Sequence, residues 1–134
     1  MSKIIIIILS CFVSISTFDV YDRNGIYNTI KPVTVIATVY QATPAQCNED
    51  YLNTAFGYSI DPDCPLEQRY IAISRDLETT FSKGEIVHID GAGIYNGKWI
   101  IADRMNRRWS NRIDFLVNND SYIDKFDNVR IIKQ

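Results

Sequence analysis

The sequence predicts an all-β fold in which six strands form a barrel. Short runs rich in β-branched and aromatic residues recur along the chain, and glycine and asparagine punctuate the turns between them. The segments that look helical are too short to build a helical fold. The six predicted strands are Val33 to Gln41, Arg69 to Ser74, Glu85 to Asp90, Lys98 to Asp103, Arg112 to Val117 and Asn128 to Lys133.

The segments between these strands carry their own signals. One short helical turn is predicted near Arg75 to Phe81 and a second near Asp120 to Phe126. The pair Asn96-Gly97, between Ile94-Tyr95 and Lys98-Trp99, predicts a tight hairpin turn. Residues 42 to 68 hold three of the four prolines and are typical of a long loop. Loops of this length in compact domains are usually functional or pinned.

Length and composition limit the classes of protein to consider. A chain of 134 residues has room for one ordinary globular domain, which excludes a two-domain enzyme. Its 14 basic and 16 acidic side chains give a net charge of -2, without the basic excess that binds phosphate backbones. We therefore expect no nucleic-acid partner. The hydrophobic content of 46% excludes a disordered chain.

The N-terminus has the pattern of an export signal. Lys3 is followed by an apolar run from Ile4 to Leu9, and Ser14-Ile15-Ser16 offers small residues for cleavage near Ser16. The alternative is lipidation at Cys11, the one case in which we expect membrane attachment. Otherwise we expect a monomer exported to the periplasm, the cell envelope or the medium. The predicted organisation is a signal peptide (1–16), an N-terminal arm (17–32) and a barrel domain (33–134).

Export determines how the cysteines are interpreted. Only Cys47 and Cys64 remain in the mature chain, and a potentially oxidising compartment favours a disulfide between them. They lie 17 residues apart, a loop whose closure stabilises the fold by about 3 kcal/mol in the chain-entropy model. Neither belongs to a CxxC pair and His88 is the only histidine, so a zinc site would lack ligands. We expect no metal and no cofactor.

Two aspartates are the strongest candidates for chemistry. Asp103 ends one predicted strand and Asp114 lies inside the next, 11 residues later. Two carboxylates brought together in a partly buried groove raise one pKa, so that one remains protonated and acts as a general acid in glycosidic bond cleavage. The alternative is structural: Asp103 caps a turn and Asp114 pairs with Arg112 or Arg104. Spacing alone favours this structural alternative.

The sequence around these aspartates resembles a known group of domains. Asp103-Arg104, followed by Arg112-Ile113-Asp114-Phe115, is similar to the signature shared by the 3D domain, named for three aspartates, and rare-lipoprotein-A-like domains. Thr54-Ala55-Phe56-Gly57 resembles their Thr-Ala-x-Gly motif. Two further matches are Ile71-Ala72-Ile73 and Gly84 to Ile89. The resemblance runs from about Val35 to Ile132 and implies a six-stranded double-psi β-barrel.

The resemblance also implies an activity, the cleavage of peptidoglycan glycan strands by lytic transglycosylation. Asp103 matches the catalytic acid of these families and Asp114 its partner. Asp103 would protonate the oxygen between N-acetylmuramic acid and N-acetylglucosamine. Its carboxylate would then accept the proton of the muramoyl C6 hydroxyl as this attacks C1. Neither metal nor water is needed.

The chain departs from the family pattern at two places. Ser74 stands where the families have an acid or histidine, and Asp76, two residues later, is the candidate for a displaced third catalytic carboxylate. Met105 replaces a glycine after the Asp-Arg pair, and the bulky loop from Asn106 to Ser110 replaces a small one. We expect this loop to narrow or reshape the groove.

Further residues are candidates for substrate binding. Trp109 and Tyr58, on flanking loops, are suited to stacking on sugar rings, whereas Trp99 and Phe115 belong in the core. Arginines are suited to muramoyl or stem-peptide carboxylates. The predicted substrate-binding set is Tyr58, Ser74, Arg104, Arg107, Trp109 and Arg112, with Arg108 beside them.

Three functions follow from these patterns. The preferred hypothesis is an exported peptidoglycan-cleaving enzyme. The first alternative is a non-catalytic barrel that binds cell-wall glycan, which the serine at position 74 favours. The second is a secreted, disulfide-stapled effector that acts on another protein. The same fold hosts several functions, so the site must decide among them.

Overall fold

The structure is a computed structural model that describes residues 18–21, 27–47, 49–122 and 124–134. The chain separates into two compact units, of which the second begins at Lys31. In the first unit, β1 (Phe18–Tyr21) and β2 (Tyr27–Ile30) pair antiparallel. The predicted signal peptide and Cys11 lie outside the described residues. None of the helices described is long and apolar enough to cross a membrane.

The second unit is an all-β barrel, as predicted. Six strands close it in the order β3-β7-β4-β6-β5-β8. Each predicted strand matches an observed one, and no boundary differs by more than three residues. The strands are β3 (Val33–Gln41), β4 (Tyr70–Ile73), β5 (Ile86–Asp90), β6 (Gly97–Arg104), β7 (Arg112–Val117) and β8 (Lys125–Lys133).

The pairing in the barrel is mixed and has an internal symmetry. β3 pairs with β7, and β4 with β6, in parallel; the other four pairings are antiparallel. If β3, β4 and β5 are exchanged with β6, β7 and β8 respectively, the same strands remain neighbours. Every parallel or antiparallel pairing is also kept. This arrangement places β4 between β6 and β7, the two strands that carry the candidate aspartates.

The barrel interior is filled by alternate residues of the strands, since successive side chains point to opposite faces. Trp99 and Phe115 are fully buried with ring centroids 4.7 Å apart, which confirms their predicted place in the core. The Trp99 indole N–H donates to the Tyr95 carbonyl at 2.7 Å. Val87 and Ile89 point inward, so His88 between them lies on the outer face of β5.

The tight Asn96-Gly97 hairpin was a wrong prediction. Gly97 already belongs to β6, opposite Ile89, and a longer loop containing a 3-10 turn, Gly93–Tyr95, joins it to β5. The Tyr95 ring is buried and stacks on Phe115 at 5.1 Å, which draws this segment out of the strand. Asn96 closes the loop because its side-chain carbonyl accepts the Ala92 N–H at 2.7 Å.

Of the two predicted helical turns, one is confirmed. Arg75–Thr79 forms a 3-10 helix, whereas β8 begins at Lys125, so the turn predicted at Asp120 to Phe126 was wrong. Backbone pairing of Phe126 with Ala37 of β3 extends the strand, and Phe126 packs against the core. Tertiary packing therefore overrides the local pattern.

The predicted disulfide is not formed, and Cys47 and Cys64 are free thiols. Each thiol donates to a nearby residue, Cys47 to the Gln41 carbonyl at 3.6 Å and Cys64 to the Asp61 carboxylate at 3.3 Å. Apolar packing holds the long loop against the outer barrel wall instead. This second cluster comprises Ala42, Ile60 and Leu116, with Tyr40, Tyr51, Leu52 and Tyr70 packed against it.

Replacing Trp99 with alanine is expected to lower the free energy of unfolding by about 3 to 5 kcal/mol, because it empties the centre of the core. Urea denaturation followed by circular dichroism measures the loss. The control is Tyr122→Ala, since this side chain is 92% exposed and its removal should change stability by less than about 0.5 kcal/mol. Similar losses in both variants would contradict this account of the core.

Candidate functional site

A groove of about 1030 Å³ lies on the outer face of the barrel. Strands β3, β4, β6 and β7 contribute to its floor. The long loop between β3 and β4 forms one wall, and the segment between β6 and β7 forms another. Ile71, Ile73 and Ile113 point into the core, so the residues that alternate with them on β4 and β7 face this groove.

Four residues form a row across the groove floor. Thr38 of β3 pairs with Asp114 of β7, Asp114 pairs with Ala72 of β4, and Ala72 pairs with Asp103 of β6. Paired residues on neighbouring strands share a face. Neighbouring strands lie about 4.8 Å apart, so the backbones of the two aspartates are separated by two strand spacings. The methyl group of Ala72 lies between them. The structure thus brings both predicted catalytic aspartates to one cavity.

A β-bulge in β6 sets the direction of Asp103. Ile71 pairs with Ile101, yet the next residue, Ala72, pairs with Asp103, so Ala102 is an extra residue in β6. Bulges of this kind re-aim a side chain. Without the bulge, Ala102 would stand opposite Ala72 and Asp103 would fall out of the row.

Three hydrogen bonds fix the Asp103 carboxylate. Its Oδ1 accepts the N–H groups of Ala55 at 2.7 Å and Arg104 at 2.8 Å, and its Oδ2 accepts the Tyr40 hydroxyl at 3.2 Å. Burial, followed by the charge and hydrogen bond of Asp103, raises the pKa of Tyr40 well above its usual value. Tyr40 therefore remains a neutral donor to an oriented carboxylate.

The motif Thr54-Ala55-Phe56-Gly57 supplies one of these donors. The Thr54 carbonyl accepts the Gly57 N–H at 3.0 Å, and the Thr54 hydroxyl accepts the Tyr58 N–H at 3.0 Å. Gly57 closes the turn at φ +86°, a conformation that favours glycine. This tight turn presents the Ala55 N–H to Asp103, a role that the motif's spacing alone did not reveal.

Asp114 has a different environment. Its Oδ1 accepts a hydrogen bond from the Thr38 hydroxyl. Burial raises the pKa of Asp114 to about 6; the charge of Arg112 opposes this shift and that of Asp103 adds to it. Asp114 therefore carries a proton under mildly acidic conditions.

The structural alternative for the aspartates is met in part. Asp103 accepts the N–H of Ala55 in a tight turn, but Asp114 forms no ion pair with Arg112 or Arg104 within the residues that the structure describes. Arg104 pairs with Glu78 rather than with an aspartate, using its Nε and, at 2.7 Å, its second guanidinium nitrogen. The Arg104 hydrogen bonds lower the pKa of Glu78. Arg104 lines the groove, but its guanidinium is held by Glu78 and lies 5.1 Å from the Phe56 ring centroid. Its predicted role as a free substrate contact is therefore weakened.

Trp109 lines the groove in contact with two cations. The Arg112 guanidinium carbon lies 4.1 Å from the Trp109 ring centroid, and that of Arg108 lies 4.8 Å away. Met105 also lines the groove and is buried. The predicted stacking of Trp109 on a sugar would thus compete with its arginine neighbours.

Four predicted site residues do not line the groove. Ser74 is fully buried, and its hydroxyl oxygen accepts the Arg112 backbone N–H at 3.0 Å. Tyr58 packs against Tyr70 with ring centroids 5.5 Å apart. Arg107 is exposed outside the lining. The fourth is Asp76.

Asp76 is part of a structural link rather than a third catalytic carboxylate. Its Oδ2 accepts the Asn111 N–H at 2.9 Å, and the Ser74 hydroxyl also bonds to it. Burial favours the neutral acid, but these hydrogen bonds together hold the pKa of Asp76 below its usual value. Ser74 and Asp76 therefore join the end of β4 to the start of β7.

The contributions of Thr38, Tyr40, Ala55 and Glu78 were not predicted. Thr38 and Tyr40 are two residues apart on a strand, so alternation could have placed them on one face. The partners of Glu78 and Ala55 arise from tertiary contacts between distant segments, which sequence spacing does not reveal.

Comparison with protein-family models gives no match for this chain, and comparison with curated proteins gives none either. Within the described parts of the chain, no three His, Cys, Asp or Glu side chains are grouped as they would be around a metal ion. The function is therefore inferred from the carboxyl pair and its surroundings.

Replacing Asp114 with asparagine is expected to stabilise the folded protein above pH 6. The pKa of Asp114 is about 6 in the folded state against about 3.9 in an unfolded chain, so its ionisation costs about 1 to 3 kcal/mol at neutral pH. This cost falls as the pH drops from 6 and has nearly vanished at pH 4.

Urea denaturation at pH 4 and pH 7.5 tests this prediction. Asp114→Asn should be more stable than the unmodified protein at pH 7.5 and nearly equal to it at pH 4. Asp120→Asn, at an exposed turn position, is the matched control and should follow the unmodified protein at both values. Equal stability of Asp114→Asn at pH 7.5 would show that Asp114 ionises without cost.

Proposed function

We propose that this protein cleaves the glycan strands of peptidoglycan as a lytic transglycosylase, using Asp103 and Asp114. The observation that carries the proposal is the placement of the two carboxyls. They face one groove on either side of Ala72, and one is fixed by three hydrogen bonds while the other has a pKa of about 6. Unequal carboxyls facing a common substrate are typical of glycosidic bond cleavage.

The strand order supports a double-psi barrel as the fold behind this activity. A topology that is unchanged when its two halves are exchanged fits the two interlocked halves of that fold. The resemblance of Asp103-Arg104 and of Arg112 to Phe115 to 3D and rare-lipoprotein-A-like domains points the same way. Export through an N-terminal signal peptide is part of the same proposal, since the substrate lies outside the cytoplasm.

The surroundings of the two carboxyls favour a reversal of the roles implied by the resemblance. Asp114 donates its proton to the glycosidic oxygen as the bond to the muramoyl C1 breaks. The Asp103 carboxylate stabilises the positive charge that develops on the sugar ring. The C6 hydroxyl then attacks C1, and Asp114 recovers a proton from it, closing the anhydro ring. Tyr40 and the Ala55 N–H keep Asp103 oriented throughout.

The non-catalytic wall-binding barrel is retained as a second candidate. Ser74 and Asp76 form a structural link outside the groove, so Asp76 does not join the pair as the displaced third carboxylate. In this case the groove binds glycan strands but leaves them intact.

Purified protein incubated with peptidoglycan sacculi is expected to release muropeptides that end in 1,6-anhydromuramic acid. Asp103→Asn and Asp114→Asn should each slow release about a hundredfold or more. Asp120→Asn should leave the rate unchanged, and mass spectrometry of the products measures all three.

The products distinguish the candidates. Reducing ends in place of anhydro ends would contradict transglycosylation. Sacculi that bind the protein without releasing products would favour the wall-binding barrel. Neither binding nor release would exclude both and favour an effector that acts on another protein.

The pH dependence of kcat/KM tests which aspartate carries the proton. If Asp114 is the acid, kcat/KM should fall about tenfold per pH unit above a midpoint near 6. Asp103→Asn should move the midpoint of its residual activity downward, because the Asp103 charge contributes to the raised pKa of Asp114. A rate that keeps rising to pH 8 would contradict the role of Asp114 as proton donor.

A further inference from the structure

Arg112 lines the groove, and one of its hydrogen-bond donors is unused. Its Nε is buried and has no hydrogen-bond partner among the described residues. A buried donor without a partner is costly, and such groups in native proteins call for an explanation. Stacking on Trp109 at 4.1 Å holds the guanidinium plane in place, so its donors have a defined direction.

The charges at this end of the groove are not balanced by ion pairs. Arg104 is paired with Glu78, whereas Arg75, Arg108 and Arg112 form no ion pair within the described part of the chain. All four arginines line the groove. Arg112 lowers the pKa of Asp114, but the ion-pair distance is not reached. Three guanidinium groups therefore lack a bound carboxylate.

The position of Arg112 relates this end to the proposed chemistry. Arg112 and Asp114 are two residues apart on β7, a rise of about 7 Å. They share the groove face of the strand, and both line the cavity. A group bound by Arg112 therefore lies within about one sugar unit of the carboxyl that carries the proton.

We propose that Arg112, held by Trp109 and assisted by Arg108 and Arg75, is a subsite for a carboxylate of the glycan beside the bond that is cleaved. This inference rests on the proposed function for the identity of the glycan. A planar guanidinium binds a carboxylate through two parallel hydrogen bonds, which an ammonium group does not reproduce. Peptidoglycan offers such a carboxylate on the lactyl ether of muramic acid and on the stem peptide.

Binding to three glycan probes tests the subsite. Chitin oligosaccharides carry no carboxylate, amidase-treated glycan strands carry the free lactyl carboxylate, and peptide-bearing strands carry only peptide carboxylates. Calorimetry in an Asp103→Asn background prevents turnover. At least one carboxylate-bearing probe should bind about 10 to 100 times more tightly than chitin oligosaccharides of equal length.

Substitutions assign this preference to Arg112. Arg112→Gln should remove it, and Arg112→Lys should remove most of it because the two parallel hydrogen bonds are lost. Arg107→Gln, at an exposed position in the segment between β6 and β7 but outside the lining, is the matched control and should retain this preference. Thermal denaturation of each variant shows whether it is folded.

Each outcome bears on the inference. Preference for amidase-treated strands identifies the lactyl carboxylate, and preference for peptide-bearing strands identifies the stem peptide; both support the subsite. Equal affinity for all three probes, or a preference that survives in folded Arg112→Gln, overturns it. Cleavage of sacculi by the unmodified protein, measured separately, decides the proposed function. Cleavage without a carboxylate preference overturns the subsite alone, and a carboxylate preference without cleavage overturns the proposed activity alone.

Discussion

The groove depends on the position of β4 between β6 and β7. This strand of four residues bonds to both neighbours, in parallel on one side and antiparallel on the other. Its central residue, Ala72, therefore has an aspartate on each flank, and its methyl group leaves the space above it open. The interior face of the same strand, Ile71 and Ile73, is fully buried, so the core fixes the row of residues on the outside.

Two kinds of environment meet on this floor. Asp103 stands at a bulge where backbone N–H groups and a phenol satisfy its oxygens, whereas Asp114 lies on a regular strand and its pKa is raised by burial. Arg112 stands close enough to moderate this shift without forming an ion pair. The difference between the two carboxyls thus arises from backbone geometry and burial. The long loop covers the outer wall of the barrel beside them with its apolar cluster.

The periodicity of short β-branched runs was sufficient to predict the barrel and, to within one residue, every strand boundary except the start of β8. Spacing also indicated the aspartate pair. It could not show the bulge at Ala102, the turn that presents Ala55 or the pairing of Arg104 with Glu78, because these join segments far apart in the chain. The disulfide was inferred from the predicted export and the tight hairpin from a dipeptide rule. The structure shows free thiols, and a longer loop with a buried Tyr95 takes the place of the tight hairpin.

The exchange symmetry of the strands has a consequence for the floor itself. Under this exchange β4 corresponds to β7 and β3 to β6. Ala72 and Asp114 therefore lie on corresponding strands, as do Thr38 and Asp103 at the ends of the row. A perfectly repeated barrel would place identical residues at each pair, and its carboxyls would titrate as equals. The halves differ here, with aspartate against alanine and aspartate against threonine. The symmetric strand order therefore carries a row of side chains whose two ends are chemically distinct.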